Sequence, residues 1–109
     1  MKIKEGVTLA GIHILMRPVL RESERIWKEQ GREKGVTITC AMGGTHKAAS
    51  WHYYGLALDL RIRYFDESTR EHVFKALKAA LPDYDIILHK THIHAEVGNT
   101  LAKRHGLLL

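Results

Sequence analysis

Apolar and polar positions alternate along this chain with two different periods. After Pro18, the residues Val19, Leu20, Ile26 and Trp27 recur at helical spacing, with polar residues between them, up to Gly31. Proline suits the first turn of a helix and glycine its end, so this segment reads as an amphipathic helix. VTITC, Val36 to Cys40, alternates at every second residue and is rich in β-branched types, which predicts a strand. The same period returns at Leu56 to Arg61, where Leu56, Leu58 and Leu60 face one side and Ala57, Asp59 and Arg61 the other. The stretch between them, AMGGTHKAAS, reads as loop. A second helix carries Val73, Phe74, Leu77 and Leu81 as its buried stripe. Ser68 and Glu71 are expected to open it as a capping box, and Pro82 to stop it. Tyr84 to Leu88 and His92 to Val97 read as two further strands.

These elements predict an α+β fold: a small, mostly antiparallel sheet with helices packed on one face. At 109 residues, positions 1–109 are expected to form a single domain. Hydrophobic residues make up 45% and charged residues 27%, the balance of a globular protein, and no apolar run reaches the length of a membrane span. The opening MKIKEGVTLAGIHILMRP is basic, but Glu5, Gly6, Thr8 and His13 interrupt its apolar block. That argues against a cleavable signal and predicts a chain that is cytoplasmic when made, for which export would need a separate route.

Cys40 stands alone, which excludes an internal disulfide and a thiolate zinc cluster. A metal would have to be held by imidazoles and carboxylates, and Cys40 itself reads as a buried strand residue. The net charge of +5, with eight histidines uncounted, favours an anionic partner. Nucleic acid, an anionic lipid surface and bacterial cell-wall polymers all qualify. The basic residues are scattered and form no known nucleic-acid motif, which argues against the first.

Strand alternation then assembles a candidate site. In His92 to Val97, the residues Ile93, Ala95 and Val97 share the core face, so His92, His94 and Glu96 share the other. If this strand neighbours Leu56 to Arg61, a histidine and Asp59 meet above one face of the sheet. His52 lies before that strand, and a turn through Tyr53, Tyr54 and Gly55 could fold it back over Asp59. Taken singly, a histidine on a strand is more often a packed or solvated residue than a ligand. Together, His52, Asp59 and His94 form a suitable three-donor set for zinc, with a fourth position left open for water.

SWHYYGLALD resembles the signature of the M15 metallopeptidase family, S-x-H-x-x-G-x-A-x-D, at Ser50, His52, Gly55, Ala57 and Asp59. That family comprises zinc D-alanyl-D-alanine carboxypeptidases and phage L-alanyl-D-glutamate endolysins, related in fold to the hedgehog signalling domain. HIHAE is similar to the family's closing segment, and the order of elements matches over nearly the whole chain. The resemblance implies a hedgehog/DD-peptidase-like fold, and zinc held by His52, Asp59 and His94. It implies that Ser50 braces the signature loop and that Glu96 orients a ligand. The implied activity is hydrolysis of a peptide bond in peptidoglycan, and a free-standing domain of this kind suits a phage or prophage product.

Thr91 departs from the family pattern, for it stands where an acidic residue acts as general base, three places before the last zinc histidine. The nearest substitutes are His92 and His89; among zinc peptidases of this fold the first histidine of an H-x-H pair lies beside the metal-bound water, which makes His92 the candidate for proton transfer or for stabilising the oxyanion. The family's substrate-steadying arginine has no counterpart in AMGGTHKAAS, where His46 or Lys47 could instead meet a carboxylate or the developing oxyanion. Tyr53 and Tyr54 are expected to line the cleft or to pack on the sheet. The rival expectation is a zinc-binding domain of the same fold, without catalysis, that binds cell-wall peptide or a protein partner.

Overall fold

The computed structural model describes residues 1–41 and 55–107. Five strands form one sheet: β1 (Lys2–Ile3), β2 (Thr37–Cys40), β3 (Ala57–Arg61), β4 (Tyr84–Leu88) and β5 (His92–Val97). Their order is β1-β2-β3-β5-β4. β1 runs parallel to β2 and every other pairing is antiparallel, so the sheet is mixed, with a single parallel edge. Three helices accompany it: α1 (Arg17–Glu29), α2 (Glu67–Ala80) and α3 (Asn99–Arg104). A 3-10 turn, Ile14–Met16, leads into α1.

The core explains this arrangement. Val19, Ile26 and Trp27 of α1 meet Val73 and Leu77 of α2 above Ile38, Leu58, Leu60, Ile93, Ala95 and Val97 of the sheet. Removing each large aliphatic side chain from water contributes about 1.5–3 kcal/mol, so burial of this one face decides which way each strand is turned. Leu20 and Phe74 pack only partly against this core, and the Lys78 ammonium lies over the Phe74 ring at 5.6 Å. Pro18 lies in the first turn of α1, and Gly31 follows its end with φ +89°, a conformation open to glycine. Among the described residues, no helix is long and apolar enough to cross a membrane.

Three expectations need correction. The second helix is capped by Asp66, whose carboxylate accepts from Thr69 N at 2.8 Å, and not by Ser68. The Ser68 hydroxyl donates to that same carboxylate at 3.2 Å, because an aspartate two residues earlier supplies a stronger acceptor for the free amides. Cys40 is half-buried rather than buried. Ala57 lies on the expected face, opposite Glu96 and outside the apolar core cluster, but is fully buried there rather than open. The predicted loop AMGGTHKAAS lies, beyond Ala41, outside the described residues. So do Ser50, His52, Tyr53 and Tyr54 of the signature, together with His46 and Lys47.

Candidate metal centre on the open sheet face

The antiparallel register of β3 and β5 places Asp59 directly opposite His94, Arg61 opposite His92 and Ala57 opposite Glu96. A directly opposed pair has its Cβ atoms about 5 Å apart, within reach of a short side-chain contact. His94 Nδ1 accordingly lies 2.9 Å from Asp59 Oδ1. Its other ring nitrogen, Nε2, lies 2.8 Å from Glu96 Oε1. The imidazole is thus held between two carboxylates, one across the strands and one two residues along its own strand. All three side chains are largely shielded, with relative exposures of 17% for Asp59 and His94 and 21% for Glu96.

In the metal-free chain the hydrogen bond that His94 donates to Asp59 raises the His94 pKa above its ordinary value. Desolvation opposes that rise and Glu96 supports it. Glu96 also sets the ring's orientation, turning Nδ1 towards Asp59. Two donor atoms on one tetrahedral zinc, each bonded at about 2.0–2.1 Å, stand roughly 3.3 Å apart. The Asp59–His94 separation is close to that spacing, so the pair fits a shared metal, with Glu96 as the outer carboxylate that commonly steadies a ligating histidine.

His92 sits beside the pair. Its Nδ1 lies 3.2 Å from the Thr91 hydroxyl and its Nε2 lies 3.9 Å from Asp59 Oδ2. The His89 ring stacks on it with centroids 4.7 Å apart and 26° between planes. Of the residues picked out from sequence, the structure therefore brings together Asp59, His94, Glu96 and His92. The remaining expected ligand, His52, and the expected loop residues Ser50, Tyr53 and His46 lie outside the described residues. Among the described residues, no group of three or more His, Cys, Asp or Glu side chains is arranged to hold a metal ion.

Sequence reasoning missed the basic flank of the site. Lys4, Arg61 and Arg63 line an open pocket of about 230 Å³ together with Asp59 and His92. Arg61 carried a readable signal, since it follows Asp59 by two residues on the same strand face. Lys4 carried none, because a two-residue parallel strand far away in sequence delivers it.

No protein-family model, curated protein or solved structure matches this chain.

Proposed function

We propose that this protein is a zinc-dependent peptidase of the M15, hedgehog/DD-peptidase-like type, acting on peptide bonds of bacterial peptidoglycan. The observation that carries the reading is the pairing of Asp59 with His94 at 2.9 Å on the open sheet face. The sequence places His52 seven residues before that same aspartate. His52, Asp59 and His94 would hold the zinc. Bound there, zinc supplies Lewis-acid polarisation of the scissile carbonyl and a lowered pKa for water.

The chain's own residues do the rest. Glu96 fixes the His94 ring by accepting at Nε2, so that the ring presents Nδ1 on the Asp59 side. Thr91, at the family's acidic position, cannot take a proton from water near neutral pH, and its hydroxyl is engaged with His92 Nδ1. That contact orients the His92 ring, whose Nε2 side faces Asp59. In this reading His92 carries a proton towards the departing amine, and its contacts with Thr91 and Asp59 support that role.

The Thr91 substitution favours a second reading, a zinc-binding domain of the same fold that binds cell-wall peptide without cleaving it. Mass spectrometry of purified muropeptides incubated with the protein, with and without a chelator, separates the two. Chelator-sensitive products that His94→Ala fails to make are expected, and their masses name the bond. Unchanged muropeptides from folded, zinc-loaded protein would refute the peptidase and leave the binding domain.

A further inference from the structure

The two edges of the sheet are built differently. β1 is two residues long, carries Lys2 and is followed by Lys4, the short, basic kind of edge that resists further pairing. β4, at the other edge, runs for five residues and keeps an unbroken register with β5. Bonds from Gly98 N to Asp83 O at 3.0 Å and from His89 N to His92 O at 2.9 Å bracket that ladder. They set its phase, so that Asp85 and Ile87 turn their backbone groups towards β5. Ile86 and Leu88 turn their N–H and C=O groups outward, and among the described residues nothing pairs with them there. An edge left open in this way is a template for another strand.

The side chains along β4 suit a second copy of this chain. Asp83 and Asp85 stand at its start, His89 and Lys90 just past its end. Among the described residues none of these four forms an ion pair. Ile87 lies between them on the open sheet face, opposite His94, and is 44% exposed. Consider a copy laid antiparallel along the edge, about a two-fold axis through Ile87. Ile86 then exchanges both N–H···O bonds with the partner's Leu88. On the open face Ile87 meets the partner's Ile87 in a closely spaced pair, and the Asp85 carboxylate stands opposite the partner's His89. The acidic start of each strand runs alongside the basic end of the other. Other registers lose this fit. An axis at Asp85 sets aspartate against aspartate, one at Ile86 sets Asp85 against isoleucine, and one at Leu88 sets Ile87 against histidine.

We propose that two copies of this protein pair through the outer edges of β4, in the register centred on Ile87, and join their sheets into one. The proposal stands on the edge geometry and the charge pattern, and is independent of any catalytic activity. The interface borders the candidate site, because Ile87 is paired with His94 and the His89 ring stacks on His92 at 4.7 Å. Each copy therefore adds the carboxylate of Asp85 to the rim of the other's site. A single pair of short strands covers little surface, so the dimer is weak and forms reversibly.

The test is sedimentation equilibrium of the full chain up to about 500 µM, where a monomer–dimer equilibrium with Kd on the order of 50 µM is expected. Amide exchange, followed by NMR over the same range, reads the register. The amides of Ile86 and Leu88 should gain protection only as concentration rises, while those of Asp85 and Ile87, bonded to β5, stay protected throughout. Ile87→Lys sets two ammonium groups at the axis and should abolish the dimer, and the exposure of the position should keep the fold intact. Asp85→Lys and His89→Glu should each weaken pairing about tenfold, since symmetry changes the contact twice. Combining them reverses the pair and should recover the parent's affinity. A chain still monomeric at about 500 µM overturns the proposal and leaves the edge to a peptide strand. A dimer indifferent to Ile87→Lys also overturns it, for association would then run through another surface. So does a double variant no better than its parents, because the register would be wrong.

Discussion

Strands β3 and β5 present two faces built from alternate residues of the same short segments. On one, Leu58, Leu60, Ile93, Ala95 and Val97 are each 0% exposed beneath the helices. On the other, Asp59, His94 and Glu96 bond to one another at the edge of solvent. The magnitudes say which face decides the register. Each buried aliphatic side chain contributes about 1.5–3 kcal/mol, whereas in a largely shielded ion pair the cost of desolvation offsets most of the attraction. A slip of one residue would turn the whole apolar set to water. The core face therefore sets Asp59 opposite His94, and the polar face is free to carry chemistry that adds little to stability.

Substitution on the two faces should then give opposite results. Leu60→Ala, which empties a fully buried position, is expected to cost about 3 kcal/mol in urea unfolding. His94→Ala in metal-free protein should cost about 1–2 kcal/mol, less than Leu60→Ala, by taking the partner from two shielded carboxylates, and should abolish the proposed zinc uptake. Equal losses of stability would break the division of labour between the faces. Gly55 probes the junction where both are set. Its φ is +71°, and a Cβ there would stand 2.4 Å from Gly11 O, while its own carbonyl accepts from His13 N at 3.0 Å. Gly55→Ala should cost about 2 kcal/mol through left-handed strain and backbone collision, and should lower zinc occupancy as well. A stable variant with intact zinc binding would show that the turn before β3 tolerates rearrangement.

The same contrast explains what could be read in the sequence. Alternation in Leu56 to Arg61 and in His92 to Val97 exposed both faces, because a strand with one buried side must alternate. It also placed Asp59, His92, His94 and Glu96 on the open side before any pairing was known. The pairing itself was only a condition there; register arises from contacts between segments more than thirty residues apart. Local competition hid the α2 cap, since Asp66 and Ser68 are both good caps and the carboxylate prevails. β1 is two residues long and α3 six, too short for any period to show. Lys4 and Arg63 reach the pocket through β1 pairing and the chain just past β3, neither of which leaves a sequence pattern.

Within the open face the comparison sharpens at Glu96. Glu96→Gln keeps an acceptor for His94 Nε2 but removes the charge. Replacing such an outer partner typically costs 10–100-fold in metal affinity. Competition against a chromogenic chelator should show a loss in that range, with the urea midpoint of metal-free protein nearly unmoved. Unchanged affinity would make Glu96 an ordinary strand carboxylate and leave the His94 ring held from the Asp59 side alone.

The smallest expected effect separates the two regions by pH. Glu24, on α1, is partly buried, which by itself would raise its pKa. Its bonds to the Met1 ammonium at 2.7 Å and to Val36 N at 2.9 Å, with Lys28 3.8 Å away, outweigh that and hold it below its ordinary value near 4.5. A carboxyl depressed in the folded state stabilises fully above its unfolded pKa, and that contribution is lost as pH falls through the folded value. Glu24→Gln should therefore be less stable than the parent at pH 7, with the gap closing below about pH 4.5 in urea titrations. Zinc held on the other face as proposed would need neutral imidazoles, so acid should release it at a higher pH, where histidines protonate. On acidification the open face should lose its metal first, and the helix layer its carboxylate contribution afterwards. A single step, with zinc release and the closing of the Glu24→Gln gap at the same pH, would mean that the two faces are coupled.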